Sequence, residues 1–225
     1  MKVSELPLFF DQLQEARQVL TTSSIREAIQ GEIDEFADER NVYLDADSGW
    51  PEELKRNFLI LLQDVEGIEV LEKWRGELLA GKPRVAPGTL DLFIQEFLHH
   101  FDRFGTEKID VVCLMYDEMP QMHIDLWQFD TDDPETDYGI YLKGKELTKY
   151  GDIGPLDLQP FGFFDYSIED DFPALNFFDG YFSYMMWLRE MNILLQITEA
   201  IAAVVPKDGV TLIVGKYNEG LSRFR

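Results

Sequence analysis

One short stretch of the sequence combines residue types that could hold a metal ion. Apolar and polar residues alternate over 122–129, which predicts a β-strand with two distinct faces. One face carries Met122, Ile124 and Leu126, and the other carries His123, Asp125, Trp127 and Phe129. An imidazole and a carboxylate on one strand face suit a divalent cation. The sequence therefore admits a metal-dependent hydrolase that uses His123 and Asp125, or else an ordinary surface or half-buried pair.

The metal hypothesis also admits one of the remaining histidines, His99 or His100, as a further ligand. His99 and His100 are adjacent in a predicted helix, so their side chains point about 100° apart and do not easily grip one ion together. Motifs for the common catalytic sites are absent from the sequence: a phosphate-binding glycine loop, Gly-x-Ser-x-Gly, His-Glu-x-x-His and paired Cys-x-x-Cys. Our first expectation is therefore a protein without a catalytic residue, a resident metal or a cofactor, and the metal-dependent hydrolase is the alternative.

Acidic residues dominate the C-terminal part of the chain. Nine acids and no lysine or arginine lie between Lys108 and Lys143, and seven acids and no such base lie between Lys149 and Arg189. Without local counter-charges, these carboxylates predict a concentrated negative field. Residues 130–137 are unlike a calcium loop, because a proline and a glutamate stand where that loop requires a ligand and a glycine. They are interpreted as a solvated acidic loop.

Aromatic residues accompany these acids in segments without helical or strand periodicity. Rings beside carboxylates on a loop suit recognition of a basic protein surface, although the same rings could instead fill the core. The predicted partner-binding residues are Asp130, Asp132, Asp133, Asp137, Phe163, Asp165, Tyr166, Glu169, Asp170, Asp171 and Phe172.

The totals narrow the class of partner and the compartment. Forty-three acids against twenty lysines and arginines give a net charge of −23. Such a surface repels phosphate and anionic lipid, so neither a nucleic acid nor a membrane is an expected partner. The single cysteine, Cys113, excludes an internal disulfide and favours the reducing cytoplasm. It lies in an apolar run and is expected to be a small buried residue.

Periodicity predicts an α+β fold. A helical N-terminal half packs on a C-terminal half that has a small, mostly antiparallel sheet and one long covering helix. Helices are expected at 8–20, 24–40, 51–65, 68–80, 90–104 and 182–204; strands are expected at 109–116, 122–129, 138–142 and 210–217; residues 143–164 are expected to be irregular. A break near 81–88 divides a helical part (1–85) from an α+β part (86–225), with one continuous core.

These observations lead to one functional expectation. The protein is expected to be a non-catalytic acidic binding protein that masks a basic protein partner, as immunity and antitoxin proteins mask cationic toxins. Its association rate should fall with salt. The oligomeric state is left open.

Overall fold

The computed structural model describes residues 1–37, 50–104, 108–116, 120–131, 134–149, 152–161, 172, 180–205, 209–216 and 220–224. Its helices are α1 Phe9–Thr22, α2 Ile25–Ala37, α3 Trp50–Gln63, α4 Val65–Leu79, α5 Pro87–Arg103 and α6 Tyr181–Val204. Its strands are β1 Val111–Tyr116, β2 Gln121–Gln128, β3 Thr136–Asp137, β4 Tyr141–Leu142, β5 Lys145–Glu146, β6 Leu156–Asp157, β7 Thr211–Lys216 and β8 Gly220–Arg223. Short 3₁₀ helices lie at Val3–Glu5 and Gln159–Phe161.

The first helices form where the apolar spacing and the capping residues predict them. The predicted stripe of α1 (Phe9, Leu13, Ala16 and Leu20) is almost fully buried. At the start of α2, the backbone N–H of Ser24 donates to Glu27 Oε2 at 2.8 Å, and the N–H of Glu27 donates to Ser24 Oγ at 3.2 Å. This is the predicted capping box, which satisfies amides that the helix itself leaves unpaired.

The sheet is mixed and mostly antiparallel, which confirms the predicted α+β class. Its strand order is β5-β2-β1-β7-β8, and β6 also pairs with β2. β1 and β2 form the predicted antiparallel hairpin, whereas β7 pairs with β1 in parallel. Every residue of β1 except Tyr116 is buried, as its continuous apolar sequence implies for a central strand. Two-residue strands β5 and β6 occur within 143–164, where only irregular chain was expected, and β8 was not predicted.

The prediction of a strand at 138–142 is only partly right. Residues 141–142 form β4, but β4 pairs with β3 in a separate two-stranded sheet rather than joining the main one. Tyr138 and Gly139 have φ of 53° and 75°. Two successive residues with positive φ are typical of the tight turn of a β-hairpin, and glycine accepts this conformation readily. The turn at Tyr138 and Gly139 therefore interrupts the strand that was predicted over 138–142.

The chain forms two compact units. The sheet unit consists of Met1–Gln14, Pro83–Phe164 and Met191–Arg225, and the helical unit consists of Glu15–Lys82 and Asp165–Glu190. The division at residue 85/86 stays a prediction. In the part of the chain that the structure describes, no helix has the length and apolar character needed to cross a membrane.

Candidate functional site

The register of the sheet gathers the predicted polar residues of β2 on one face of the sheet unit. In the β1–β2 ladder, Asp125 lies opposite Cys113, and His123 lies opposite Met115. Trp127 lies beside Glu146 of β5 in the next ladder. Because directly opposed residues in an antiparallel pair project to the same side, these side chains share one face. The predicted grouping of His123, Asp125 and Trp127 is confirmed.

Part of this face is sealed by a hydrophobic cluster. Val3 and Leu6, from the N-terminal segment, pack with Phe129, Ile213 and Leu221. The segment is held by main-chain contacts: the Val3 N–H donates to the Pro134 carbonyl at 2.7 Å, and an isolated bridge joins residues 2 and 135. The cluster closes one end of the face and leaves the rest to a cavity.

The β3–β4 hairpin forms the wall opposite the sheet. Thr136 fixes its base: the Thr136 N–H donates to the Met1 carbonyl at 2.8 Å, and Thr136 Oγ1 accepts from the Gly139 N–H at 3.1 Å. At its tip, the Gly139 carbonyl accepts a hydrogen bond of 2.8 Å from the Leu221 N–H. The hairpin is thus tied both to the N-terminal segment and to β8.

A cavity of about 320 Å³ lies between this hairpin and the sheet. Its polar lining comes from His123, Asp125 and Glu146, and its aromatic lining comes from Trp127 and Tyr141. A concave site with an apolar wall and a few convergent polar groups is the usual form of a small-ligand site.

Asp125 is the most unusual group in the cavity. It is 8% exposed, and its Oδ2 lies 3.5 Å from His123 Nε2. Its Oδ1 is buried and accepts no hydrogen bond from any described residue. A buried carboxylate oxygen without a donor is costly, so a positive charge near Asp125 would stabilise its ionised form.

The surrounding groups respond to this negative charge. Burial, followed by the charges of Asp125 and Glu146, raises the pKa of the Cys113 thiol well above its ordinary value. Cys113 is a small buried residue, as predicted, and its environment disfavours the thiolate. Partial burial and the neighbouring carboxylates of Asp125 and Asp152 raise the pKa of Glu146, although His123 opposes this shift. The cavity is therefore electronegative.

Most of the predicted partner-binding residues fall where the structure makes no statement. Asp132, Asp133, Phe163, Asp165, Tyr166, Glu169, Asp170 and Asp171 lie outside the described residues. Their role stays a prediction.

Three of the predicted partner-binding residues can be placed. Asp130 and Asp137 are exposed, and Asp137 Oδ1 lies 3.6 Å from Lys143 Nζ. Phe172 is half-buried, and its ring is so close to α4 that a Cβ added at Gly67 would lie 2.8 Å from it. Phe172 thus packs at least partly inside the helical unit. This agrees with the alternative interpretation, in which the rings of the aromatic segments fill the core.

The structure shows one feature that a metal site on β2 requires, the proximity of His123 and Asp125. His123 and Asp125 do approach each other, but the described residues contain no group of three histidine, cysteine or acidic side chains suited to a metal ion. A hydrolase built on this pair remains an untested alternative.

Sequence reasoning missed most of the cavity lining and the exposed tip of the hairpin. Tyr141 and Glu146 line the cavity, and Tyr138, at the tip of the hairpin, is 88% exposed. Glu146 could have been found only from the ladder that sets it beside Trp127, and that ladder is two residues long. Gly139 was the available signal for the turn, because glycine accepts a positive φ readily.

No protein-family model, curated protein or solved structure matches the chain.

Proposed function

We propose that the protein is a non-catalytic acidic binding protein that masks a basic protein partner, in the manner of an immunity protein or antitoxin. The observation that carries the proposal is the acidic and aromatic character of the hairpin segment, residues 130–143. The segment exposes Asp130, Glu135 and Asp137 together with two tyrosines. A partner that is a protein rather than a nucleic acid fits the charge of −23.

The carboxylates of the hairpin segment have little internal compensation. Asp130 and Glu135 form no ion pair with any described residue, and only Asp137 is paired, with Lys143. Both members of that pair are about half exposed, and an ion pair of this kind contributes little to stability. The carboxylates are therefore available to attract and orient a basic surface.

Exposed tyrosines add a large apolar contact area to the charge of the acids. Tyr138 is 88% exposed and Tyr141 is 46% exposed, although burial of large rings is the normal case. Tyrosine is favoured at binding hot spots, since its ring buries a large area and stacks on arginine while its hydroxyl stays solvated. The hairpin is anchored by backbone hydrogen bonds at base and tip, so its main chain loses little conformational freedom on binding.

A cytoplasmic location completes the proposal. It rests on the single cysteine, which is buried and unpaired, so the fold gains nothing from an oxidising compartment.

The test compares two variants that remove the same charge from the sheet unit. Asp130→Asn with Glu135→Gln alters the hairpin segment, and Asp91→Asn with Glu199→Gln alters exposed carboxylates on α5 and α6. Wild type and both variants are used for affinity capture at low and high salt. The captured protein is then identified, purified and used to measure association rates.

We expect a basic protein that wild type and the helix variant capture at low salt and the hairpin variant captures poorly. Its association rate should fall steeply with ionic strength, because steering by charge is screened beyond about 10 Å at 0.1 M salt. A partner without a basic surface would contradict the proposal, as would equal capture by the two variants or a rate indifferent to salt.

A further inference from the structure

The cavity on the sheet face has a chemistry of its own beyond the acidic exterior. Two carboxylates line it, and the lining includes no lysine or arginine among the described residues. Asp125 and Glu146 are diagonal neighbours across the β2–β5 pair, since Glu146 opposes Trp127 two residues further along. Diagonal neighbours stand about 7 Å apart at the backbone, so one cationic group can sit between their carboxylates.

Asp125 supplies the indication that a ligand is missing from this site. The residue is 8% exposed and lines the cavity, yet Oδ1 has no donor among the described residues. Among the residues that the structure describes, Oδ2 has only His123, at 3.5 Å, which is long for a charge-assisted hydrogen bond. A positively charged ligand in the cavity would compensate the charge of this poorly satisfied carboxylate.

The aromatic wall narrows the kind of cation. Trp127 and Tyr141 line the same cavity together with Leu142 and Met115. A cation over the face of a tryptophan is attracted by the electron-rich ring, and alkyl groups pack favourably on the remaining wall. A metal ion gains nothing from such a wall and needs more ligands than the described residues offer.

We propose that this cavity binds the ammonium or guanidinium group of an organic cation. Asp125 and Glu146 would accept its N–H groups, and Trp127 would contact its charged head. At about 320 Å³ the cavity has room for a lysine or arginine side chain or for a small alkylamine, but not for a large ligand.

The inference deepens the proposed function, on which it rests only for the source of the cation. In that setting, a lysine or arginine of the basic partner enters the cavity while the hairpin segment contacts the surface around it. A free amine has the same chemistry, and the experiment separates these two sources.

The first arm uses small probes. n-Butylammonium and n-butylguanidinium are titrated into the full chain, with uncharged n-butanol as the comparison, and binding is followed by the Trp127 indole N–H in NMR spectra. Trp127→Phe assigns that resonance. We expect saturable, salt-sensitive binding of at least one cation and binding of butanol at least about tenfold weaker, which corresponds to about 1.4 kcal/mol.

Matched variants locate the binding. Glu146→Gln changes an exposed residue at the cavity, and Glu199→Gln makes the same change on α6, away from the cavity lining. We expect the first to raise the Kd severalfold and the second to leave it unchanged. Asp125→Asn should raise the Kd by about tenfold, because a charge-assisted acceptor is lost. If Asp125→Asn fails to fold, the Glu146 and Glu199 pair still decides the question.

The second arm tests whether the basic partner, captured as described under the proposed function, binds the protein, and so separates a partner side chain from a free amine as the source of the cation. Failure of both cations to bind, equal binding of butanol, or stoichiometric binding of Zn²⁺ that Asp125→Asn abolishes would overturn the inference. If the cations fail but the partner still binds through the hairpin segment, only the inference is lost. If the cations bind and no basic protein does, the inference stands with a free amine as ligand, and the proposed function fails.

Discussion

Arg75 and Tyr181 offer a stability test that can be worked out from distances within the helical unit. Arg75 Nη1 donates to the carbonyl oxygens of Leu20 and Ser23, both at 2.9 Å, near the C-terminal end of α1. The Tyr181 hydroxyl lies 3.0 and 2.9 Å from the same two oxygens. Because the last carbonyls of a helix lack partners within it, these two side chains share the task of satisfying them.

The shared acceptors predict a non-additive double-mutant cycle. Arg75→Met removes the charge-assisted bonds to the carbonyls and the 2.7 Å ion pair with Glu72 but leaves the Tyr181 hydroxyl in place, so we expect a loss of about 2 kcal/mol in the free energy of unfolding. Tyr181→Phe leaves the guanidinium in place and should cost about 1 kcal/mol. In the double variant both carbonyls lose their side-chain donors, which raises the total loss above the sum of the single losses. The direct hydrogen bond from Arg75 Nη1 to the Tyr181 hydroxyl is lost in each single variant and acts in the opposite direction, but it is long, at 3.4 Å. The total loss should therefore still exceed the sum, by about 1 kcal/mol.

Urea denaturation followed by circular dichroism and by tryptophan fluorescence measures these losses and tests whether the transition is two-state. Arg26→Met is the matched control, since Arg26 Nη1 donates at 2.8 Å to a different carbonyl, that of Leu62. Combined with Tyr181→Phe, it should be additive. Additivity of Arg75→Met with Tyr181→Phe would refute the reasoning, because it would mean that water already satisfies the two carbonyls.

Three further predictions concern single residues. Burial and the nearby Asp125 carboxylate raise the pKa of Glu146 above its ordinary 4.5, so ionisation disfavours the folded state. Glu146→Gln should therefore be more stable than wild type at pH 7, by less than about 1 kcal/mol because the residue is largely exposed, and the difference should vanish below about pH 4 in urea melts. Gly139→Ala should cost about 1–2 kcal/mol, because φ is 75° and the added Cβ would lie 3.2 Å from Met1 Sδ; unchanged stability would contradict this account of the turn. Ser24→Ala should cost about 1 kcal/mol in thermal or urea unfolding through loss of the α2 cap, and a neutral result would mean that Glu27 alone suffices.

The fold was largely predictable because its main elements carry local signals. The α1 stripe, the Ser24–Glu27 box and the alternation of β2 each follow from a few neighbouring residues. The start of α4 was misplaced at residue 68, although Asp64 caps the helix by accepting from the Gly67 N–H at 2.9 Å. Gly67, a poor helix former, concealed that start.

The candidate site was predictable only in part, because it depends on pairing between distant segments. Alternation placed His123, Asp125 and Trp127 together, but it could not tell which face of the sheet keeps an open cavity. That depends on Val3 and Leu6 sealing one end and on Tyr141 standing opposite. Short strands such as β5 have no pattern of their own and exist only through their partner strand.

The position of β1 has a consequence for protein synthesis. β1 and β2 emerge from the ribosome close together, whereas β7, which covers the other edge of β1, starts at residue 211 and is made long after them. Until then the apolar run Val111–Tyr116 presents unpaired backbone groups, and bare edges of this kind invite pairing between nascent chains. Slow translation or a stop codon before residue 211 would therefore favour aggregation, and chaperones that shield extended apolar segments should improve the yield of native protein.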